Sequence, residues 1–225
     1  MPLNVEKIRA ICFDLDGTLS DSDDVMVENL ARFLGPIRSL FPKQDACRFS
    51  RRLIMAIESP GTFLLGIPDF LGLDRPIFEL VDNISGKVGH KHDRVFKLVS
   101  GVREMLAELS RRYPLAIISI RNARTTNDFL EQFSLMPFFN CVASAQTCRH
   151  TKPFPDPILW AAKQMQVPPE ACLMVGDTIV DIQAGKAAGA QTLGLLCGFG
   201  EEHELRRRGA DMILSTTSEL ARLLL

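Results

Sequence analysis

Six short apolar runs punctuate the chain: Ile8–Phe13, Leu115–Ile120, Cys141–Ala143, Leu173–Val175, Thr192–Leu196 and Met212–Leu214. Most lack the two-residue alternation of a strand with one wet face, so they predict parallel strands covered on both sides. Between the later runs the period changes. Val102, Met105, Leu106 and Leu109 recur at helical spacing and predict a helix over Val102–Arg112. Leu130 and Phe133 mark an apolar face on the next helix. Asp156-Pro157 fits an N-cap followed by proline at the first helical position, opening a helix through Met165. Thr216 and Glu219 have capping-box spacing ahead of Leu220–Leu225. Strands alternating with helices predict an α/β fold with a doubly wound parallel sheet.

Residues 21–98 break this pattern. They show little continuous strand character, carry candidate helices at Val25–Leu34 and Asp45–Ile57, and are interrupted at Gly35-Pro36, Pro60-Gly61, Gly66, Pro68, Gly72 and Pro76. The expected organisation is a Rossmann-like core of residues 1–20 and 99–225 with an α-helical domain of residues 21–98 inserted into it. The 225 residues suit one core plus a sizeable insertion.

Composition narrows the partners. Lys and Arg total 26 against 27 Asp and Glu, a net charge of −1, which argues against a nucleic-acid partner because duplex binders carry a basic excess. Charges near the N-terminus occupy the place of a signal peptide's apolar stretch. The longest uncharged tract, Ala187–Gly200, is Gly-rich and shorter than the roughly 20 residues a membrane span needs. None of the six cysteines forms C-x-x-C, and several sit in apolar runs, as reduced thiols do. A cytoplasmic protein is expected, without membrane association, as monomer or homodimer.

The chemistry-bearing residues cluster at strand ends. Asp14 and Asp16 follow the first apolar run and precede Gly17-Thr18. The carboxyl ends of parallel strands line the ligand crevice, and two close carboxylates call for a cation or a proton between them. Taken alone, D-x-D fits a solvated strand-to-turn junction better than a site; the residues that follow shift the balance. Ser119 ends the second run, Lys152 stands in a proline-rich loop before a helix, and Asp177 ends the fourth run after Gly176, which lets backbone pass close to a ligand. Asp181 lies one helical turn beyond Asp177.

Asp14-Leu15-Asp16-Gly17-Thr18-Leu19, Ser119, Lys152 and Gly176-Asp177-Thr178-Ile179-Val180-Asp181 appear in the order and spacing of the haloacid dehalogenase-like hydrolase superfamily, which the chain resembles over essentially its whole length. Asp14 through Ser22 and the chain's end resemble the phosphoglycolate phosphatase-like branch. The resemblance implies a central Asp14 strand, with the Ser119 and Cys141 strands on one side and the Asp177 and Thr192 strands on the other. It implies a Mg²⁺-dependent phosphatase acting on a small phosphorylated metabolite, phosphoglycolate-like or a sugar phosphate. Asp14 is then the nucleophile and Asp16 the acid–base. Asp14, the Asp16 backbone carbonyl and Asp177 bind Mg²⁺. Ser119, the Ile120 backbone N–H and Lys152 hold the phosphoryl oxygens, and Asp181 orients Lys152 or a metal-bound water. Asp14 and Ser119 are too far apart for one ordinary connection, whereas Ser119 to Lys152 leaves room for one helix and one strand. This places the insertion after the first motif, where the family carries a helical cap.

One departure stands out. Ile120 replaces the asparagine that usually follows the motif serine, and Arg121-Asn122 come next. Asn122 fits an N-cap; Arg121 fits either a second anionic group or solvent. Arg48, Arg51 and Arg52 fall on one candidate cap helix, as a solvated face or as contacts to a substrate anion. Cys141, Cys148 and His150 match no zinc spacing well, and Trp160 fits core packing. Two other functional classes stay open: a phosphosugar mutase with the same core residues, and a non-catalytic phosphate-sensing or interaction module.

Overall fold

The computed structural model describes residues 2–21 and 96–225, which belong to one compact unit. Their elements, in chain order, are β1 (Ala10–Phe13), α1 (Val102–Leu109), β2 (Leu115–Ile118), α2 (Ala123–Gln132), β3 (Cys141–Ala143) and α3 (Asp156–Gln164). There follow β4 (Cys172–Gly176), α4 (Ile179–Ala187), β5 (Gln191–Leu195), α5 (Glu202–Arg207), β6 (Met212–Leu214) and α6 (Leu220–Leu224). The strands form one sheet in the order β3-β2-β1-β4-β5-β6, every pairing parallel. The expected arrangement around the Asp14 strand holds. The expected helical domain of residues 21–98, its two candidate helices and Arg48, Arg51 and Arg52 lie, all but its edges, outside the described residues.

The sheet's two faces differ in side-chain size. Ile11, Phe13, Leu115, Ile117, Leu173 and Val175 face α1, α2 and α6, where Leu106, Phe129 and Leu220 close a core of large residues. Ala10, Cys12, Ala116, Cys172 and Met174 turn to the other face, under Ile158 and Ala161 of α3 and Ala184 of α4. Small side chains there let those helices sit close. Trp160 packs against this second layer, as expected.

Several predicted ends move. β1 begins at Ala10 rather than Ile8, since a 3-10 turn over Val5–Lys7 delivers the chain and the Arg9 N–H already donates to Ala171 O. β2 stops at Ile118 and β5 at Leu195, leaving Ile120 and Leu196 exposed. α1 ends at Leu109, where its apolar face ends; Pro114 disfavours helical backbone at Tyr113. Asp156 is not an N-cap. Pro155 flanks the helix, Asp156 is its first residue, and the Asp156 carboxylate meets His150 Nδ1 at 3.0 Å. Thr216 caps a 3-10 turn over Thr217–Glu219 by accepting from Ser218 N, and Glu219 in turn leads α6.

The chain leaves and re-enters the core through a paired neck. Ser20 and Leu98 form an antiparallel bridge, the Asp21 N–H donates to Lys97 O at 2.8 Å, and the Val99 N–H donates to Leu19 O at 2.9 Å. Among the described residues, no helix is long and apolar enough to cross a membrane.

Candidate active site

Three adjacent strands, β2, β1 and β4, release their carboxyl ends side by side. Asp14 follows β1, and its N–H donates to Val175 O at 2.9 Å, so the ladder holds the residue's backbone. The chain then turns at once. Leu19 and Ser20 N–H groups return to Leu15 O, the Gly17 N–H reaches Ser20 O, and Gly17 takes φ 71°, a conformation that favours glycine. Fully buried Leu15 and Leu19 anchor this loop in the core. Its far side is tied down by Thr217, whose hydroxyl donates to Thr18 O at 2.5 Å.

Lys152 is brought to the site by the loop before α3 and is buried between two carboxylates. Its Nζ donates to Asp14 Oδ1 at 2.5 Å and to Asp181 Oδ1 at 2.6 Å. Asp181 sits in the first turn of α4, where its other oxygen accepts from the Thr178 N–H (3.0 Å) and hydroxyl (2.7 Å). That capping position and the positive end of the helix dipole both favour a carboxylate. Asp177 Oδ2 accepts from the Phe199 N–H at 2.8 Å and Oδ1 from the Thr18 hydroxyl at 3.4 Å.

Glycines make room for these acids. A Cβ on Gly176, the last residue of β4, would overlap the Asp181 carboxylate, so Gly176 makes room for an acid of the helix that follows, whereas the sequence pointed to a close ligand approach. Cβ atoms on Gly17 and Gly198 would overlap the Asp177 carboxylate, and one on Gly200 would overlap Asp177 O.

Oxygens of Asp14, Asp177 and Asp181 lie within 4.8 Å of one another. Burial, then the Asp181 charge, outweigh Lys152 and push the Asp14 carboxyl up to about 7; Asp16 adds to the rise. Burial alone would lower Lys152, but the Asp14 and Asp181 charges raise it, so it stays protonated. Three buried acids against one lysine form an all-oxygen pocket short of positive charge, which suits a hard divalent cation. The grouping takes in Asp181 in addition to the expected Asp14 and Asp177. The Asp16 side chain points elsewhere, and its expected contribution is a backbone carbonyl.

Across the site, Ser119 is buried at the end of β2, and its Oγ accepts from the Arg121 N–H at 3.0 Å. Ile120 is exposed. Asn122 is the N-cap of α2, accepting from the Thr125 N–H at 2.9 Å. Arg121 meets an anion within the chain, a partner that neither alternative named: Nε donates to Asp16 Oδ2 at 2.7 Å and Nη2 to Asp16 Oδ1. Neither this fork nor the Thr18 and Phe199 contacts to Asp177 was drawn from the sequence. The glycines on either side of Phe199 were a usable signal.

A model of the haloacid dehalogenase-like hydrolases matches residues 74–195. A relative called pyrophosphatase PpaX, from Anoxybacillus flavithermus, is 30% identical over 221 residues, 96% of this chain and 97% of that protein. A haloacid dehalogenase-like family hydrolase from Streptococcus pneumoniae superimposes with TM-score 0.66 at 23% identity, covering 98% of this chain and all of the other. A Haemophilus somnus protein assigned by prediction to the phosphoglycolate phosphatases gives TM-score 0.65 at 19% identity, covering 97% of this chain and 99% of the other.

Proposed function

Because the chain belongs to the haloacid dehalogenase-like hydrolases, we propose that this phosphatase-type hydrolase is Mg²⁺-dependent and cleaves a small phosphorylated metabolite through an aspartyl-phosphate intermediate. The observation that carries this is the buried contact of Asp14 with Lys152, set beside Asp177 and Asp181. Asp14, Asp177 and the Asp16 carbonyl would hold Mg²⁺, with Asp181 close by; when bound, the ion offsets repulsion between nucleophile and phosphate.

The remaining chemistry belongs to the chain's own groups. An Asp14 oxygen attacks phosphorus while the bond to the leaving oxygen breaks, and Asp16 gives that oxygen a proton. In the second half Asp16 takes a proton from water. The resulting hydroxide attacks phosphorus, the Asp14–phosphorus bond breaks, and inorganic phosphate leaves. Lys152, Ser119 and the Ile120 N–H hold the transferring oxygens, and Asp181 fixes the Lys152 ammonium. Arg48, Arg51 and Arg52 of the inserted segment are proposed as contacts to an anionic group of the substrate. Asp14, Asp16 and Lys152 are all present, which favours an enzyme over a phosphate-sensing module.

The name of the Anoxybacillus relative adds inorganic pyrophosphate to the candidate substrates, since it offers Asp14 the same phosphoryl group. Purified protein screened against phosphorylated metabolites and pyrophosphate should release phosphate with Mg²⁺ and stop with excess chelator. Quenched reactions should carry phosphate on Asp14. No release from any substrate, or full activity in chelator, would reject the proposal.

A further inference from the structure

Asp16 has an acid–base task, yet both of its oxygens are engaged by one side chain. The Arg121 guanidinium forks onto them, and its Cζ lies over the Phe96 ring, 5.3 Å from the centroid. The backbone holds Arg121 in place: its N–H donates to Ser119 Oγ, and its carbonyl accepts from Ala145 N at 2.9 Å. The pair is not buried like Lys152. The Asp16 side chain is 32% exposed and that of Arg121 18%. An ion pair this accessible exchanges partners more readily than a buried one.

A planar guanidinium recognises carboxylate and phosphoryl groups by the same two-donor fork. We propose that Arg121 is a specificity-determining residue that passes from Asp16 to an anionic group on the departing half of the substrate. The site would thereby prefer phosphate compounds whose leaving part carries its own carboxylate or phosphoryl group. This rests on the phosphatase function proposed above. An anionic leaving part takes the fork and turns Asp16 toward the leaving oxygen in one exchange. A neutral leaving part gives Arg121 nothing in return, so Asp16 is freed at the full cost of its ion pair. Discrimination then comes from a contact made to one substrate class and a contact broken without replacement for the other.

The test compares 2-phosphoglycolate and inorganic pyrophosphate with phenyl phosphate, using wild type, Arg121→Gln and Arg121→Lys. Arg121→Gln should lower kcat/KM on the two anionic substrates about 10- to 100-fold, the scale of a lost charge-assisted contact, chiefly through KM. On phenyl phosphate the same variant should hold its activity or gain. Arg121→Lys, which keeps the charge without the fork, should fall between. In an Asp14→Asn background, calorimetric binding of 2-phosphoglycolate should weaken on adding Arg121→Gln, and binding of phenyl phosphate should not. Unchanged melting temperatures show that the variants fold. Equal losses on both classes would make Arg121 a positioning residue for Asp16 and overturn the proposal. Wild type that releases phosphate from phenyl phosphate alone would overturn it too, while leaving the phosphatase intact. No phosphate release from any of the three would instead bring down the phosphatase reading itself.

Discussion

The two sides of the site are built differently. At the end of β4, Asp177 and Asp181 are wholly buried, their oxygens are held by Thr18, Phe199, Thr178 and Lys152, and glycines leave no space around them. At the end of β2, Ile120 is exposed and the Asp16–Arg121 pair stands partly in solvent. A phosphoryl group is common to all candidate substrates, and a rigid, preorganised enclosure suits it. Leaving groups vary, and the accessible corner has the chemistry to tell them apart.

The sharpest way to break this comparison is at Asp14. Asp14→Asn, a poor nucleophile and a weaker metal ligand, should lower phosphate release at least about a thousandfold. Activity within a few-fold of wild type would remove the buried side from the chemistry. The glycines come next. Gly198→Ala and Gly176→Ala push a methyl into Asp177 and Asp181 respectively and should each destabilise by about 1–3 kcal/mol, with at least a tenfold loss of kcat. Gly189→Ala is the control: its φ is 77°, but nothing lies within 4 Å, so it should cost about 1 kcal/mol and leave kcat alone. Equal kinetic effects at all three would show that the loss follows general destabilisation and not crowding of the acids.

Protonation gives a subtler contrast. In the metal-free fold Asp14 keeps its proton up to about 7, whereas an unfolded aspartate loses it near about 3.9. The folded chain therefore binds more protons across that window, and Asp14's contribution to stability falls as pH rises from about 4 to about 7. Chemical unfolding in chelator should show wild type losing stability relative to Asp14→Asn over that range. A constant difference would mean that Asp14 is ionised throughout. The smallest effect is expected on the open side: Asn122→Ala removes an N-cap worth about 1 kcal/mol and should change kcat/KM less than threefold.

The buried side was also the more legible one. Asp14 and Asp177 stood out as carboxylates at the ends of continuous apolar runs once both were read in one register, and the lack of two-residue alternation in the runs conveyed a parallel sheet. Asp181 followed from its spacing to Asp177, and Lys152 from its proline-rich loop together with the family resemblance. The Asp16–Arg121 fork left no such trace, since it joins residues far apart in the chain on two loops that have no periodicity. Gly198 and Gly200 were visible as glycines, but their reason is the Asp177 carboxylate, which only the fold brings beside them. Asp156 misled because proline at the second helical position resembles proline at the first, and only the hydrogen bonds to Pro155 O separate the two.

The paired neck at Ser20 and Leu98 has a consequence for how this core can change. Its two bridged segments already stand opposite each other, as the legs of a hairpin do, so the core itself closes whatever chain is spliced between them. Closure entropy grows only with the logarithm of loop length, about 0.6 kcal/mol per doubling. The junction between Asp21 and Phe96 is thus a splice point, at which segments of very different length can be exchanged while the catalytic sheet and its acids keep their register.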